Sequence, residues 1–169
     1  MRRTVAIGGE LSVSALELKI PPPLVVLACA GAMKLLALLP DPLQAIVATS
    51  PTALHRVALG LVALGLGMAS AGAVTFSRAR TTLNPHRPGS TRTLVTSGIF
   101  GVTRNPMYLG MAVLLLGWAT WLVSLWSLAG IAIFTAYITR FQIKPEERVL
   151  AGLFPADFAA YRARVRRWI

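Results

Sequence analysis

The chain has 169 residues, of which 55% are hydrophobic and only 14% are charged. A soluble domain usually carries about 25% charged residues, so the composition favours an integral membrane protein over a soluble domain. The net charge is +11, but the aromatic residues lie in apolar segments and not among the basic ones, which argues against nucleic-acid binding and for contact with anionic lipid headgroups.

Prolines divide the N-terminal third of the chain. Residues 10–19 place apolar side chains on one helical face, which predicts a short helix on the membrane surface. The prolines at 21–23 are predicted to end that helix, so residues 1–23 form an interfacial N-terminal segment. The proline-rich stretch 40–51 is predicted to be a turn.

Four apolar segments predict four membrane spans. Residues 24–39 form a short first span, in which Lys34 reaches back to the headgroups. Residues 54–76 form a full-length second span rich in small residues that allow close helix packing. The stretch 107–139 has no charged residue and is too long for one span, so it predicts a hairpin of two shorter spans with a turn near Ser124. The predicted fold is an all-α membrane bundle with about four transmembrane helices, an N-terminal interfacial helix and a C-terminal helix outside the membrane.

The basic residues are unevenly distributed along this pattern. All of them except Lys34 and Arg56 lie in the N-terminal segment, the 77–105 loop or the C-terminal tail. Because basic loops stay on the cytoplasmic side, both termini and this loop are predicted to be cytoplasmic, in the cytoplasmic (inner) membrane. Residues 101–110 and 140–150 then lie at the same membrane face.

A polar constellation occupies that face. Its members flank the predicted hairpin: Arg104, Asn105, Pro106 and Tyr108 before it, and Arg140, Glu146 and Glu147 after it. Pro106 suits the first turn of a helix, whose uncovered backbone N–H groups can bind a carboxylate or a phosphate. Arginines and glutamates together can hold a zwitterionic ligand. The alternative is a network of surface ion pairs that only anchors the hairpin.

The same residues carry a family resemblance. The stretch "LVTSGIFGVTRNPMYLG", followed by "EERVL" and "LFPADFAAYRARVRRWI", resembles the isoprenylcysteine carboxyl methyltransferase and phospholipid N-methyltransferase superfamily over about residues 75–168. Its members are integral membrane enzymes that use S-adenosylmethionine without a Rossmann domain. The resemblance implies one membrane methyltransferase domain, residues 1–169, whose cytoplasmic segments 77–105 and 140–169 bind the cofactor and release S-adenosylhomocysteine as product.

The resemblance also implies site residues. The cofactor-binding set comprises His86, Leu94, Val95, Gly98, Phe100, Arg104, Pro106, Tyr108, Gly110, Glu146 and Glu147. Arg104, Asn105 and Arg140 are the predicted catalytic residues, with Arg140 holding the acceptor. No metal is expected, and the single cysteine, Cys29, provides neither a disulfide nor a cysteine zinc site.

The acceptor is the least constrained part of this prediction. Asn105 stands where the eukaryotic enzymes have histidine, and asparagine cannot act as a base near neutral pH. A prenylcysteine-like carboxylate, which is already ionised, is therefore the first choice of lipophilic acceptor, with a phospholipid amine or a small thiol as alternatives. Membrane lipids are the other expected partners, and the oligomeric state stays open. The rival of another class is a non-catalytic membrane assembly or transport subunit, which has little need for the acidic pair Glu146 and Glu147 on so basic a face.

Overall fold

The computed structural model describes residues 17–47, 51–78 and 93–169, and every regular element within those residues is helical. The α-helices are α1 (Pro22–Leu36), α2 (Pro42–Val47), α3 (Pro51–Arg78), α4 (Pro106–Leu122), α5 (Leu128–Ile138), α6 (Lys144–Leu153) and α7 (Pro155–Arg164). A 3₁₀ turn covers Gly98–Gly101, and a π-helical segment covers Thr139–Ile143. The all-α prediction is confirmed for the described residues.

The N-terminal predictions need two corrections. The prolines at 21–23 begin a helix instead of ending one, since Pro22 opens α1, where its missing N–H has no intrahelical acceptor to lose. Residues 17–20 form a turn, and Leu18 has a φ of 58°, which no α-helix accommodates. The rest of the predicted surface helix, residues 10–16, lies outside the described residues. The stretch 40–51 contains α2 and is therefore not only a turn.

Helix length limits the four-span prediction. Within the described residues, one helix is long and apolar enough to cross a membrane: Thr52–Arg78, with 27 residues and a mean hydropathy of 2.0. Helices α1 and α4 are apolar but have 15 and 17 residues, and α5 has 11. At 1.5 Å per residue these three are shorter than a bilayer core of about 30 Å. The four-span bundle is therefore not confirmed, although the helical hairpin is.

The hairpin turn lies near Ser124, as predicted. Helix α4 ends at Leu122, the next residue, Val123, adopts a left-handed φ of 51°, and α5 begins at Leu128. Buried Asp41, between α1 and α2, accepts hydrogen bonds from Ser124 Oγ at 2.9 Å and from the Leu125 N–H at 2.7 Å. These bonds satisfy polar groups of the turn and tie it to the α1–α2 connection.

Helix α4 is the centre of the packing. Helix α3 packs along it, and α1 packs against both α4 and α5. Glycines allow the close approach of α3 and α4, because a Cβ on Gly65 would lie 2.6 Å from the Gly110 carbonyl oxygen. The main core contains the buried side chains of Met33, Leu115, Phe134, Ile138 and Ile143.

The π-helical segment connects the hairpin to the C-terminal helices. Its Phe141 carbonyl accepts a hydrogen bond from the Leu18 N–H at 3.0 Å, and the Gln142 side chain donates to the Ile20 carbonyl at 2.8 Å. These bonds fasten residues 17–20 beside the start of α6. The predicted C-terminal helix corresponds to two helices, α6 and α7, which carry the acidic pair and the basic tail to the start of α4.

Candidate active site

The site forms where the start of α4 meets the C-terminal tail. Pro106 opens α4, and the backbone just before it is bound to the tail: the Arg104 N–H donates to the Arg166 carbonyl at 3.0 Å. The Arg167 carbonyl accepts two further hydrogen bonds, from Asn105 Nδ2 at 2.9 Å and from Thr103 Oγ1 at 3.3 Å. The residues that precede the hairpin are therefore held in place by the end of the chain.

Glu147 is the centre of an ion-pair cluster. Its Oε1 accepts hydrogen bonds from Arg104 Nη2 at 2.9 Å and from Arg167 Nε at 3.1 Å, and its Oε2 accepts one from Arg167 Nη2 at 2.7 Å. The Arg104 side chain is only 9% exposed, and burial lowers the pKa of its guanidinium. The hydrogen bonds to Glu147 raise the pKa of Arg167. Two cations thus share one carboxylate, which leaves positive charge at the site.

Glu146 has a different environment. Its Oε1 accepts a hydrogen bond of 2.6 Å from the hydroxyl of buried Tyr108, and no cation pairs with it among the described residues. Burial, helped by the charge of Glu147 and opposed by the Tyr108 hydrogen bond, raises the pKa of Glu146 to about 7. This carboxyl group is therefore close to the point of ionisation at neutral pH.

Two adjoining clefts open onto these groups. Both are lined by Phe76, Phe100, Arg104, Asn105 and Glu146. The first extends over Leu94, Val95, Glu147, Leu150, Phe158 and Tyr161, and the second over Pro106, Met107 and Tyr108. The buried Nε of Arg104 has no hydrogen-bond partner among the described residues. A donor left unpaired in this way is costly unless a ligand acceptor satisfies it, and an anionic group would do so.

Most of the predicted site residues meet here. Leu94, Val95, Phe100, Arg104, Asn105, Pro106, Tyr108, Glu146 and Glu147 all line one or both clefts. Gly98 does not line them, but its φ of 61° makes it the residue that turns the chain ahead of Phe100. His86 lies outside the described residues.

Gly110 has a structural role. A Cβ at this position would lie 2.6 Å from the Gly65 carbonyl oxygen and 2.8 Å from the Ala69 nitrogen, so the glycine faces α3 and not the clefts. Gly110 lines neither cleft, so this geometry gives no support to its predicted contact with a cofactor.

Arg140 is separated from the acidic pair. Its Nη1 donates to Glu17 Oε1 at 2.8 Å, and Arg148 pairs with the other oxygen of the same carboxylate. The hydrogen bond from Arg140 is the main cause of a lowered pKa of Glu17, helped by Arg148 and opposed by burial. Arg140 lines neither of the two clefts, so the predicted cluster of Arg140 with Glu146 and Glu147 does not form.

Several residues of the ion-pair cluster and of the cleft walls were not predicted from the sequence. Arg167 is one of four arginines near the C-terminus, and nothing in their pattern singles it out. Tyr161 is buried and donates its hydroxyl to the Phe100 carbonyl at 2.7 Å, and burial raises its pKa to about 12. Phe158 lies three residues earlier on the same face of α7, a spacing that indicates a buried face without indicating a ligand cleft.

The chain is similar in sequence to a known protein family and to a bacterial protein. The sequence model described as phospholipid methyltransferase matches residues 54–157, which include nearly all of α3, all of α4 to α6 and the acidic pair. An uncharacterised protein of Haemophilus influenzae is 38% identical to the chain over 63 residues, which is 37% of this chain and the whole of that protein. No solved structure gives a significant match.

Proposed function

The chain belongs to the phospholipid methyltransferase family, and on that premise we propose that it transfers the methyl group of S-adenosylmethionine to a lipophilic acceptor at a membrane surface. The family implies a methyltransferase with a lipophilic substrate, and its members generally use this cofactor. Together with the apolar helix Thr52–Arg78, it indicates a membrane protein. The uneven charge distribution supports a cytoplasmic placement of the site and of both termini.

This proposal rests chiefly on one observation: the two glutamates have different partners. Glu147 is already neutralised by Arg104 and Arg167, whereas Glu146 has no cation beside it among the described residues. An α-amino acid group carries one ammonium and one carboxylate. The ammonium would lie at Glu146 and the carboxylate at the unpaired Nε of Arg104.

The rest of the clefts suits the remainder of the cofactor. Phe76, Val95, Phe100, Leu150 and Phe158 provide apolar and aromatic walls, which can cover an adenosine moiety and exclude water. When bound, S-adenosylmethionine supplies an activated methyl group on a sulfonium centre, so the protein mainly has to align the reactants. Asn105 is suited to this task because its side chain, fixed on the Arg167 carbonyl, lines both clefts.

For the acceptor we propose a phospholipid amine, with a prenylcysteine-like carboxylate as the second candidate. The family description favours the amine. The carboxylate is favoured by the site itself. Glu146 is engaged with Tyr108 and would be neutralised by a cofactor ammonium, and Glu147 is paired with two arginines, so no carboxyl group that lines the two clefts is left free to take a proton. Both acceptors are lipophilic and would approach from the bilayer.

The test uses the purified protein in lipid nanodiscs with methyl-labelled S-adenosylmethionine. Label should appear in phosphatidylethanolamine and should stay non-volatile in mild alkali, because N-methyl groups resist hydrolysis even when the acyl esters are cleaved. Label that is released as methanol from a prenylcysteine analogue would identify the carboxylate instead. Failure to label any lipid with folded protein would contradict the proposal.

A matched pair of variants adds specificity to this assay. Glu147→Gln leaves buried Arg104 without its carboxylate partner and should lower the rate at least about tenfold. Asp157→Asn makes the same chemical change at an exposed position of α7 and should leave the rate unchanged.

A further inference from the structure

A third opening lies between α4 and α5, apart from the two clefts. It has a volume of about 560 Å³ and shares no lining residue with either of them. Its walls are formed by Leu109, Ala112, Thr135 and Ala136, and its rim by Thr139, Arg140, Lys144 and Trp168. We call this opening the hairpin groove.

The hairpin groove is apolar at one end and cationic at the other, along the direction of the helix axes. Leu109 and Ala112 occupy the first two turns of α4, and Ala136 faces them from the last turns of α5. Arg140 and Lys144 follow one and two turns beyond Ala136, outside the apolar hairpin. A groove with an apolar body and a cationic mouth has the shape and polarity of a lipid with a charged headgroup.

The charge at the mouth is not balanced within the part of the chain that the structure describes. Arg140 and Arg148 share the single carboxylate of Glu17, and the Arg140 side chain remains 50% exposed. Lys144 is exposed and makes no ion pair within residues 17–47, 51–78 and 93–169. Three cations against one carboxylate leave an attractive site for an anion.

Trp168 lies at the mouth of the groove, together with Arg140 and Lys144. Its indole N–H donates to Thr139 Oγ1 at 3.2 Å, and its ring packs against the main core. Tryptophan is enriched at the boundary between bilayer and water, where its ring is buried and its N–H finds a polar partner. The mouth of the groove thus has the character of the headgroup level.

We propose that the hairpin groove binds a membrane phospholipid, with Arg140 and Lys144 holding the headgroup phosphate and an acyl chain lying between α4 and α5. Charge complementarity selects this occupant, because a neutral lipid would leave the cations without a counter-charge and a small anion would leave the apolar body empty. The site does not depend on methyl transfer, so it is tested without the cofactor.

The first test removes one cation. Binding of phosphatidylglycerol to the detergent-purified protein is titrated by native mass spectrometry for Lys144→Gln and, as the matched control, for Lys34→Gln. Lys34 is also exposed and lies in the last turn of α1, away from the groove. Loss of Lys144 should weaken lipid binding about fivefold, whereas loss of Lys34 should have no effect. Equal effects of the two variants, or no effect of either, would overturn the proposal.

The second test fills the apolar body and leaves the cations in place. Ala136→Trp puts an indole into the groove, and Ala132→Trp adds the same group one turn earlier on an exposed position that does not line it. Phosphatidylglycerol binding should be lost only in Ala136→Trp. Inorganic phosphate, added as a competitor, should displace the lipid only at far higher concentration. Displacement at equal concentration would identify a small-anion site and overturn the assignment to a lipid.

Discussion

Glu146 and Glu147 are neighbours in the chain, and the structure gives them different partners. Glu147 accepts three hydrogen bonds from two arginines, while Glu146 accepts one from Tyr108. The sequence predicts that this pair belongs to the site. It does not predict which acid stays without an arginine partner, because that depends on where Arg167 lies. The tail has four arginines, and any of them could have been the partner.

Because Glu146 has a raised pKa, it makes the free energy of unfolding depend on pH. The pKa of Glu146 is raised to about 7 in the folded protein, from an ordinary value of 4.5. The folded state therefore holds a proton that the unfolded chain has lost, and this stabilising contribution, present in full below about pH 4.5, is lost as the pH rises through about 7. The loss is on the order of 3 kcal/mol.

Glu146→Gln removes this titration and keeps an acceptor for the Tyr108 hydroxyl. Thermal unfolding between pH 5 and pH 8.5 should show the wild-type midpoint falling with pH relative to that of the variant. Parallel curves for the two proteins would mean that Glu146 is already ionised at pH 5, and the assignment of an unpaired carboxyl group would be wrong.

At the scale of elements, the hairpin and α3 follow directly from the sequence. An uncharged run of 33 residues predicts two helices, and a proline at its start predicts where the first one begins. The π-helical segment and the turn at residues 17–20 could not be predicted in this way. They depend on hydrogen bonds between distant parts of the chain, such as that from the Leu18 N–H to the Phe141 carbonyl.

The close packing of α3 on α4 is testable with two glycines of one helix. A Cβ on Gly65 would meet the Gly110 oxygen at 2.6 Å and the Leu114 nitrogen at 2.8 Å, whereas a Cβ on Gly67 would have nothing within 4 Å. Gly65→Ala forces the helices apart and should destabilise the protein by about 1–3 kcal/mol. Gly67→Ala should stabilise it by up to about 1 kcal/mol through helix propensity.

Chemical denaturation in detergent micelles measures both changes. The contrast between the two positions, and not either value alone, tests the interface. Equal tolerance of alanine at Gly65 and Gly67 would contradict the packing of α3 on α4.

At the scale of the whole molecule, the fold brings distant segments to one end of a helical bundle. The stretch before the hairpin and the segment after it were predicted to lie at one membrane face, and the 2.9 Å contact between Arg104 and Glu147 brings them together. Arg140 was predicted to join them. It instead turns to Glu17, a residue whose partner could not be inferred without the path of the chain at residues 17–20.

A water-soluble cofactor and a lipid thus have separate proposed sites in the molecule. The clefts over Glu146 are the proposed site of the cofactor, and the hairpin groove, which shares no lining residue with them, is the proposed site of a phospholipid. The four-span arrangement remains a prediction from the apolar segments, since only Thr52–Arg78 has the length of a span among the described helices. The membrane orientation remains a prediction from the charge pattern.

The most direct test of a cofactor site in these clefts is calorimetric binding of S-adenosylhomocysteine to the detergent-purified protein. The wild type should bind, Glu146→Gln should bind at least about tenfold more weakly because the ammonium loses its carboxylate, and Asp157→Asn should bind like the wild type. A folded wild type that does not bind S-adenosylhomocysteine, or a Glu146→Gln variant that binds it normally, would contradict the placement of the cofactor in these clefts.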